Sequence, residues 1–109
     1  SIRGRSKRFA KVSGEMVSLT AVEQLAAHAW PAAMHAATSI PDSKKGEQVL
    51  LLTTQHKATI SQLLDASPGV APILLPKKIM IVDAIPVLAT GKINYPAITE
   101  LVTSQLKLR

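Results

Sequence analysis

The hydrophobic positions of the first third of the chain predict a short hairpin followed by a helix. Residues 9–18, FAKVSGEMVS, suggest two short strands with Gly14 between them. Residues 20–23 form a capping box, in which the threonine hydroxyl and the glutamate carboxylate can satisfy each other's backbone N–H groups. Apolar residues follow at helical spacing, and Trp30-Pro31 ends the helix because the residue before proline avoids helical backbone.

The middle of the chain predicts an antiparallel hairpin and a short helix. Residues 34–40 and 48–54 have the pattern of two strands, and the loop PDSKKG at 41–46 can reverse the chain between them. Residues 49–52, VLLL, are continuously apolar, which is typical of a strand buried on both faces. A second capping box at 59–62 opens a helix. Its expected inward residues are Ile60, Leu63 and Leu64.

The last third predicts one strand and one helix separated by long loops. Residues 67–76 are expected to be loop, 79–82 a strand and 83–94 a second loop. Pro96 suits the first turn of a last helix. The apolar face of that helix would carry Ile98, Leu101, Val102 and Leu106. Together these elements predict an α+β fold: a small three-stranded sheet plus a short N-terminal β-hairpin, with about three helices packed on it.

Composition limits the compartment and the class of protein. The 109 residues fit one compact domain, and with only three aromatic residues its core must be aliphatic. Cysteine is absent, which excludes disulfides and thiolate metal sites and fits a cytosolic compartment. We expect neither a membrane-spanning helix nor a secretory signal, and the basic start is typical of the cut edge of a longer protein.

Positive charge is concentrated at the start of the chain. The formal net charge is +6, and five of the thirteen lysines and arginines fall within the first eleven residues: Arg3, Arg5, Lys7, Arg8 and Lys11. Such a basic cluster favours an anionic partner, although it could equally be a solvated basic strand. A small nucleic-acid-binding module is a distant alternative, because the aromatic residues are too few for a stacking platform and no recognition motif is present.

Few residue patterns point to chemistry. The chain has no cysteine nucleophile, no G-x-S-x-G motif and no G-x-x-x-x-G-K-[ST] loop. His28, His35 and His56 lack metal-ligand spacing, so we expect no metal site. Lys92 is the best single candidate, because a lysine that follows Gly91 in a loop can reach a carboxylate or a phosphate. On residue type alone, an ordinary exposed lysine is the better reading.

Two segments together change this interpretation. The first is GRSKRFAKVSGEMVSL at 4–19 followed by VE at 22–23, and the second runs from PKKI at 76–79 through IP at 85–86 to TGKINYP at 90–96. They resemble the hinge motif and the C-terminal lysine motif of the adenylate-forming superfamily, which includes acyl-CoA synthetases, luciferase and nonribosomal adenylation domains. The first segment looks closest to the bacterial acyl-acyl carrier protein synthetase/2-acylglycerophosphoethanolamine acyltransferase branch.

The resemblance implies that residues 1–109 are a single C-terminal lid domain that starts at the hinge motif. Lys7 would be the hinge and Arg5 would lie beside the nucleotide ribose. Lys92, supported by Gly91, would close over the fatty-acid carboxylate and the α-phosphate during adenylation. Val87-Leu88 departs from the family pattern, where threonine or a basic residue is frequent.

The opposite face of the lid would serve thioester formation. Lys11 resembles a lysine that assists this half-reaction, and Gly14 resembles the glycine that lets the pantetheine thiol pass. Arg3 and Arg8, as part of the basic cluster, would dock an acidic acyl carrier protein.

The function implied is that of a mobile domain in an ATP-dependent enzyme that forms acyl-AMP and transfers the acyl group to a carrier thiol. The lid of a fatty acyl-CoA ligase is the alternative, and a scaffold domain in which Lys92 takes no part is a third. ATP or AMP with Mg would be bound mainly by an N-terminal adenylation domain, with no cofactor expected in this chain. The resemblance also implies that the chain alone is inactive and lies on the cytoplasmic side, with the parent enzyme at the inner membrane.

Overall fold

The computed structural model describes residues 8–42 and 46–107, which form five strands and three helices. In chain order these are β1 (Phe9–Val12), β2 (Glu15–Ser18), α1 (Leu19–Ala29), β3 (His35–Asp42), β4 (Gly46–Thr53), α2 (Ile60–Ala66), β5 (Lys78–Ile81) and α3 (Tyr95–Lys107). A 3-10 turn, Pro72–Leu74, lies in the segment predicted to be loop. The predicted α+β class is confirmed, and the strand bounds differ from the prediction by one or two residues.

Strand β4 is the centre of the sheet. It pairs with β3 in antiparallel fashion from Gly46 to Thr53, and with β5 in parallel from Leu50 to Thr53. Its remaining partner is β1, through the pair Val12 and Gly46. Since β3 occupies one edge of β4 completely, β1 and β5 share the other edge. The predicted N-terminal hairpin is therefore joined to the three-stranded sheet, which becomes a five-stranded, mostly antiparallel sheet.

Helices cover both faces of the sheet, and the sheet separates the hydrophobic core into two layers. On one face, Val49 and Leu51 pack with buried residues of α1 and α2, which include Val22, Ala26 and Leu63. On the other face, Leu50 and Leu52 pack with Ile85, Ile98 and Val102. Residues 49–52 are all buried, so the prediction of a strand covered on both faces is confirmed. The side chain of Leu106 lies outside the described part of the chain.

The start of α1 corrects the first capping prediction. The N-cap is Ser18, whose hydroxyl accepts a hydrogen bond from Ala21 N at 3.1 Å, and Thr20 lies exposed within the first turn. Ser18 rather than Thr20 is the N-cap because β2 ends at Ser18 and the helix begins at the next residue. The hydrogen bond from Leu19 N to Arg8 O at 2.9 Å fixes this junction of strand and helix. Glu23 is thereby free to contact other elements.

The other helix starts agree with the sequence. Thr59 caps α2 by accepting from Gln62 N at 3.2 Å, as predicted. Leu63 is buried, as predicted. Leu64 is 43% exposed, so the prediction that it points inward is wrong, because this short helix presents only a narrow face to the core. In α3, Asn94 Oδ1 accepts from Ala97 N at 3.1 Å, and Pro96 lies in the first turn.

No helix in the two described ranges, 8–42 and 46–107, combines the length and the apolar character needed to cross a membrane.

Candidate functional site

The turn between β1 and β2 is built on two residues in left-handed backbone conformation. Ser13 has φ 53° and Gly14 has φ +84°, the combination of a two-residue type I′ hairpin turn. A Cβ added at Gly14 would meet no atom of this chain within 4 Å. The backbone conformation is thus a sufficient reason for the glycine, and a steric need for a passing thiol would have to come from atoms outside this chain.

Gly14→Ala is therefore expected to lower the free energy of unfolding by about 1–2 kcal/mol, because a Cβ is strained in the left-handed region. Gly69→Ala is the matched control, since Gly69 has equally open surroundings but no positive φ. Urea unfolding of both variants measures the difference. Equal stabilities would show that the turn tolerates alanine and that another requirement keeps the glycine.

Lys11 lies on the exposed side of this hairpin. It pairs with Met16 across the two strands, and Phe9 and Met16 are exposed large apolar residues. The backbone N–H of Lys11 donates to Glu47 Oε1 at 2.6 Å. Lys11 and Gly14, together with Gly46 and Glu47, line an open depression of about 390 Å³. The structure therefore brings together the two residues expected to serve the thioester half-reaction.

Lys92 lies in a small closed turn that follows β5. Leu88 N donates to Lys92 O at 2.7 Å, and Gly91 N donates to Leu88 O at 2.8 Å, with Gly91 at φ +92°. A bridge between Val87 and Ile93 closes the base of the turn. Residues 87–92 are all exposed, so the turn presents the lysine to the outside while its own backbone is hydrogen-bonded.

Three residues from distant parts of the sequence, Arg8, Glu23 and Tyr95, are in mutual contact; we call them the latch. Glu23 Oε1 lies 2.8 Å from Arg8 Nη2, and Tyr95 OH donates to Glu23 Oε2 at 2.7 Å. The Arg8 Cζ lies 3.9 Å from the centroid of the Tyr95 ring, a cation–π contact. Each member of the latch thus contacts the other two.

The latch also binds the backbone of β3. Ala37 N donates to Glu23 Oε2 at 2.8 Å, and Arg8 Nη1 donates to Ala37 O at 3.1 Å. Since β3 is the last strand in the sheet order of the described residues, these side chains satisfy backbone groups that no further strand within 8–42 and 46–107 pairs. Burial and the hydrogen bond to Glu23 raise the pKa of Tyr95 to about 12, so its hydroxyl remains a hydrogen-bond donor at alkaline pH at which an ordinary tyrosine ionises.

The sequence does not predict the latch. It places Glu23 in a helix cap and in the first motif, Tyr95 in the second motif, and Arg8 in the basic cluster expected to dock a carrier protein. The available signal was the presence of Glu23 and Tyr95 inside the two motif segments. Pairing them needed the tertiary fold, because they are 72 positions apart.

Three of the predicted site residues, Arg3, Arg5 and Lys7, lie outside the described residues. The histidines, for which no metal site is expected, are either buried in the core or exposed. His35 is a buried core histidine, with Nε2 2.9 Å from Trp30 O and Nδ1 2.8 Å from Thr53 Oγ1, whereas His28 and His56 are exposed. Within the residues that the structure covers, no three His, Asp or Glu side chains are placed to hold a metal ion.

No protein-family model matches the chain, but individual proteins resemble it in sequence and in structure. The chain is 33% identical over 97 residues to the 3-methylmercaptopropionyl-CoA ligase of Ruegeria lacuscaerulensis, covering 85% of the chain and 18% of that protein.

Solved structures share the fold. A fatty acyl CoA synthetase of Mycobacterium tuberculosis matches at 26% identity with a TM-score of 0.77, over 89% of this chain and 20% of that one. Apo MatB of Rhodopseudomonas palustris, a protein also solved with ATP bound, matches at 27% identity with a TM-score of 0.73, over 95% of this chain and 22% of that one.

The chain therefore spans only 18%, 20% and 22% of the lengths of these three proteins. Two of the three are acyl-CoA ligases or synthetases by name, and the similarity covers 85%, 89% and 95% of this chain. The chain belongs to the adenylate-forming superfamily of acyl-CoA synthetases and ligases, as a C-terminal domain of that superfamily.

Proposed function

We propose that this chain is the mobile C-terminal domain of an ATP-dependent acid–CoA ligase, an enzyme that forms an acyl-adenylate and then a thioester. The observation that carries the proposal is the Lys92 turn: an exposed lysine held on a backbone that is closed by its own hydrogen bonds. A cation fixed in this way can stabilise anionic charge that develops during acyl-adenylate formation. We assign that role to Lys92, with Gly91 supplying the backbone conformation of the turn.

The second half-reaction is assigned to the β1–β2 hairpin. Lys11, on strand β1, and Gly14, in the hairpin turn, belong to a different segment from Lys92, so we assign adenylation to the Lys92 turn and thioester formation to the hairpin. Exchange between the two faces requires rotation of the whole domain, and we assign the hinge to Lys7 and the contact with the nucleotide ribose to Arg5. Hinges of this kind are a few residues that absorb a large backbone change.

The described residues can contribute a contact to ATP but cannot form its whole binding site. One exposed lysine can contact a carboxylate or a phosphate, but as a single point charge it cannot enclose a triphosphate. When bound, ATP would supply the adenylyl group that activates the acid, with pyrophosphate as the leaving group. Its binding would rest mainly on the remaining part of the enzyme, with Lys92 approaching from this domain.

CoA is favoured over acyl carrier protein as the thiol acceptor. The case for a carrier protein depends on the basic cluster, but the guanidinium of Arg8 is bound to Glu23 and Ala37 and lies against Tyr95. Arg8 can therefore offer little to a docking partner. Two of the relatives reported above are also named for CoA. Transfer to an acyl carrier protein, with docking through Arg3 and Arg8, is the second candidate.

The proposal is tested on the whole enzyme that contains this domain. We expect pyrophosphate release that requires both ATP and a fatty acid, followed by thioester formation that is faster with CoA than with acyl carrier protein. The separate 109-residue chain should release no pyrophosphate. Release by this chain alone, or release that does not depend on an acid, would contradict the proposal; a preference for the carrier protein would favour the second candidate.

A further inference from the structure

We propose that the latch, Arg8–Glu23–Tyr95, is a positioning unit that fixes the Lys92 turn to the strand after the hinge. This inference rests on the proposed function, since it concerns how the adenylation lysine is placed.

The first step is the closed geometry of the latch. Glu23 uses one carboxylate oxygen for Arg8 and the other for Tyr95, at 2.8 and 2.7 Å. The cation–π contact between Arg8 and Tyr95 completes the triangle. The side chains of Arg8 and Glu23 are only 22% and 16% exposed, so the contacts are partly shielded from solvent. Such charge-assisted bonds hold a definite geometry better than exposed ion pairs do.

The second step leads from the latch to Lys92. Tyr95 is the first residue of α3, and only two residues separate it from the lysine. Both are tied to the opposite side of the loop: Asn94 N donates to Pro86 O at 3.0 Å, and Ile93 bridges to Val87. A change in the position of Tyr95 is thus transmitted to the Lys92 turn through a backbone that has little freedom.

The third step leads from the latch to the start of the domain. Arg8 directly precedes β1, and its carbonyl accepts from Leu19 N at 2.9 Å, which joins the strand to α1. Glu23 lies on α1 and binds Ala37 of β3. Rotation about a point before Arg8 would therefore carry the hairpin, α1, β3 and the Lys92 turn together.

Tyr95→Phe in the whole enzyme tests the inference, because phenylalanine keeps the ring against Arg8 and removes only the hydroxyl donor. We expect kcat for acid-dependent pyrophosphate release to fall about tenfold, since small misplacement of a catalytic group is costly. The KM values for ATP and acid, and thioester formation from supplied acyl-adenylate, should be unchanged. Glu100→Gln, at an exposed carboxylate on α3, is the matched control for Glu23→Gln, which should behave like Tyr95→Phe.

The decisive readout is a double-mutant cycle with Lys92→Ala. If Tyr95 acts through Lys92, Tyr95→Phe should cause no further loss in the Lys92→Ala background. A full further tenfold loss there, or no loss in the wild-type background, would overturn the inference and leave the proposed function intact. Should Lys92→Ala itself keep full adenylation activity, the proposed function fails, and the inference with it.

A second variant keeps the test valid if Tyr95→Phe does not fold. Arg8→Lys preserves the charge but loses the planar group that reaches Ala37 O and Tyr95. Measured in the same cycle, it should also lower kcat in the wild-type background only. An equal loss in both backgrounds would show that the latch acts on stability rather than on the placement of Lys92.

Discussion

Replacing Lys92 by alanine in the whole enzyme is expected to reduce kcat for acid-dependent pyrophosphate release by about 10²–10³, or roughly 2.7–4 kcal/mol, the usual cost of losing one fixed group that stabilises developing charge. Thioester formation from supplied acyl-adenylate should survive. The two half-reactions should separate because Lys92 lies in the turn after β5 and Lys11 on strand β1, and only the Lys92 turn is altered.

Replacing Lys92 by alanine should remove only the charged side chain, because no hydrogen bond of the turn depends on that side chain. Lys92 is exposed, and among the described residues its ammonium group takes part in no ion pair. The backbone bonds of the turn, Leu88 N to Lys92 O and Gly91 N to Leu88 O, do not involve the side chain. Alanine should therefore leave the turn and the melting temperature unchanged, so that a loss of activity reports on the charge itself.

Lys78→Ala is the control for charge alone, because Lys78 is an exposed lysine on β5. Quenched-flow measurement of pyrophosphate release and of thioester formation gives the two rates independently. Survival of both half-reactions in the Lys92 variant would support the scaffold alternative and remove the site assignments. Loss of both would indicate that the variant disturbs the domain rather than one step.

Local signals in the sequence account for most of the elements. The Ser13-Gly14 turn, the apolar run 49–52 and the cap at Thr59 each act within a few residues, so each could be identified from its own segment. Two of the physical causes are also local: left-handed backbone at the turn and one hydroxyl that satisfies a helix N–H. The run 49–52 is buried by distant elements, but its continuous apolar composition indicates that burial within its own segment.

Failures of the prediction occur where two signals compete or where distant segments meet. Ser18 and Thr20 are both good caps, and the choice between them depends on where β2 ends. The joining of the hairpin to the sheet depends on one pair, Val12 and Gly46, whose members are 34 positions apart in the sequence. Neither outcome is encoded in a short window of sequence.

A count of charges also leaves the tertiary contacts of each residue undetermined. Arg8 and Lys11 look equivalent in the basic cluster, yet Arg8 is partly buried against Glu23 and Tyr95 while Lys11 is exposed. A count of positive charges cannot distinguish a guanidinium used to hold the fold from an ammonium available to a ligand. The sequence therefore predicts Arg8 as a docking residue, and only the tertiary contacts show that its guanidinium is bound to Glu23 and lies against Tyr95.

Glu23→Ala should be the most destabilising of the substitutions considered, lowering the free energy of unfolding by about 2–4 kcal/mol. The carboxylate accepts from Arg8, Ala37 N and Tyr95 OH, so its removal leaves three donors without their partner. One of these is a backbone N–H in a buried strand residue and another carries a charge, and both are costly to leave unpaired. Glu23→Gln should cost less, because an amide keeps one acceptor oxygen and most of the volume.

Urea unfolding of the two Glu23 variants beside Glu100→Ala distinguishes this network from a general effect of losing negative charge. Glu100 is exposed on α3, and its replacement should change stability by less than about 0.5 kcal/mol. If Glu23→Ala were no less stable than the Glu100 variant, water or backbone rearrangement would be satisfying the three donors, and the latch could not hold α3 to β3. A large loss confined to Glu23 would instead mean that one carboxylate stabilises the domain and fixes the starting point of the helix that follows Lys92.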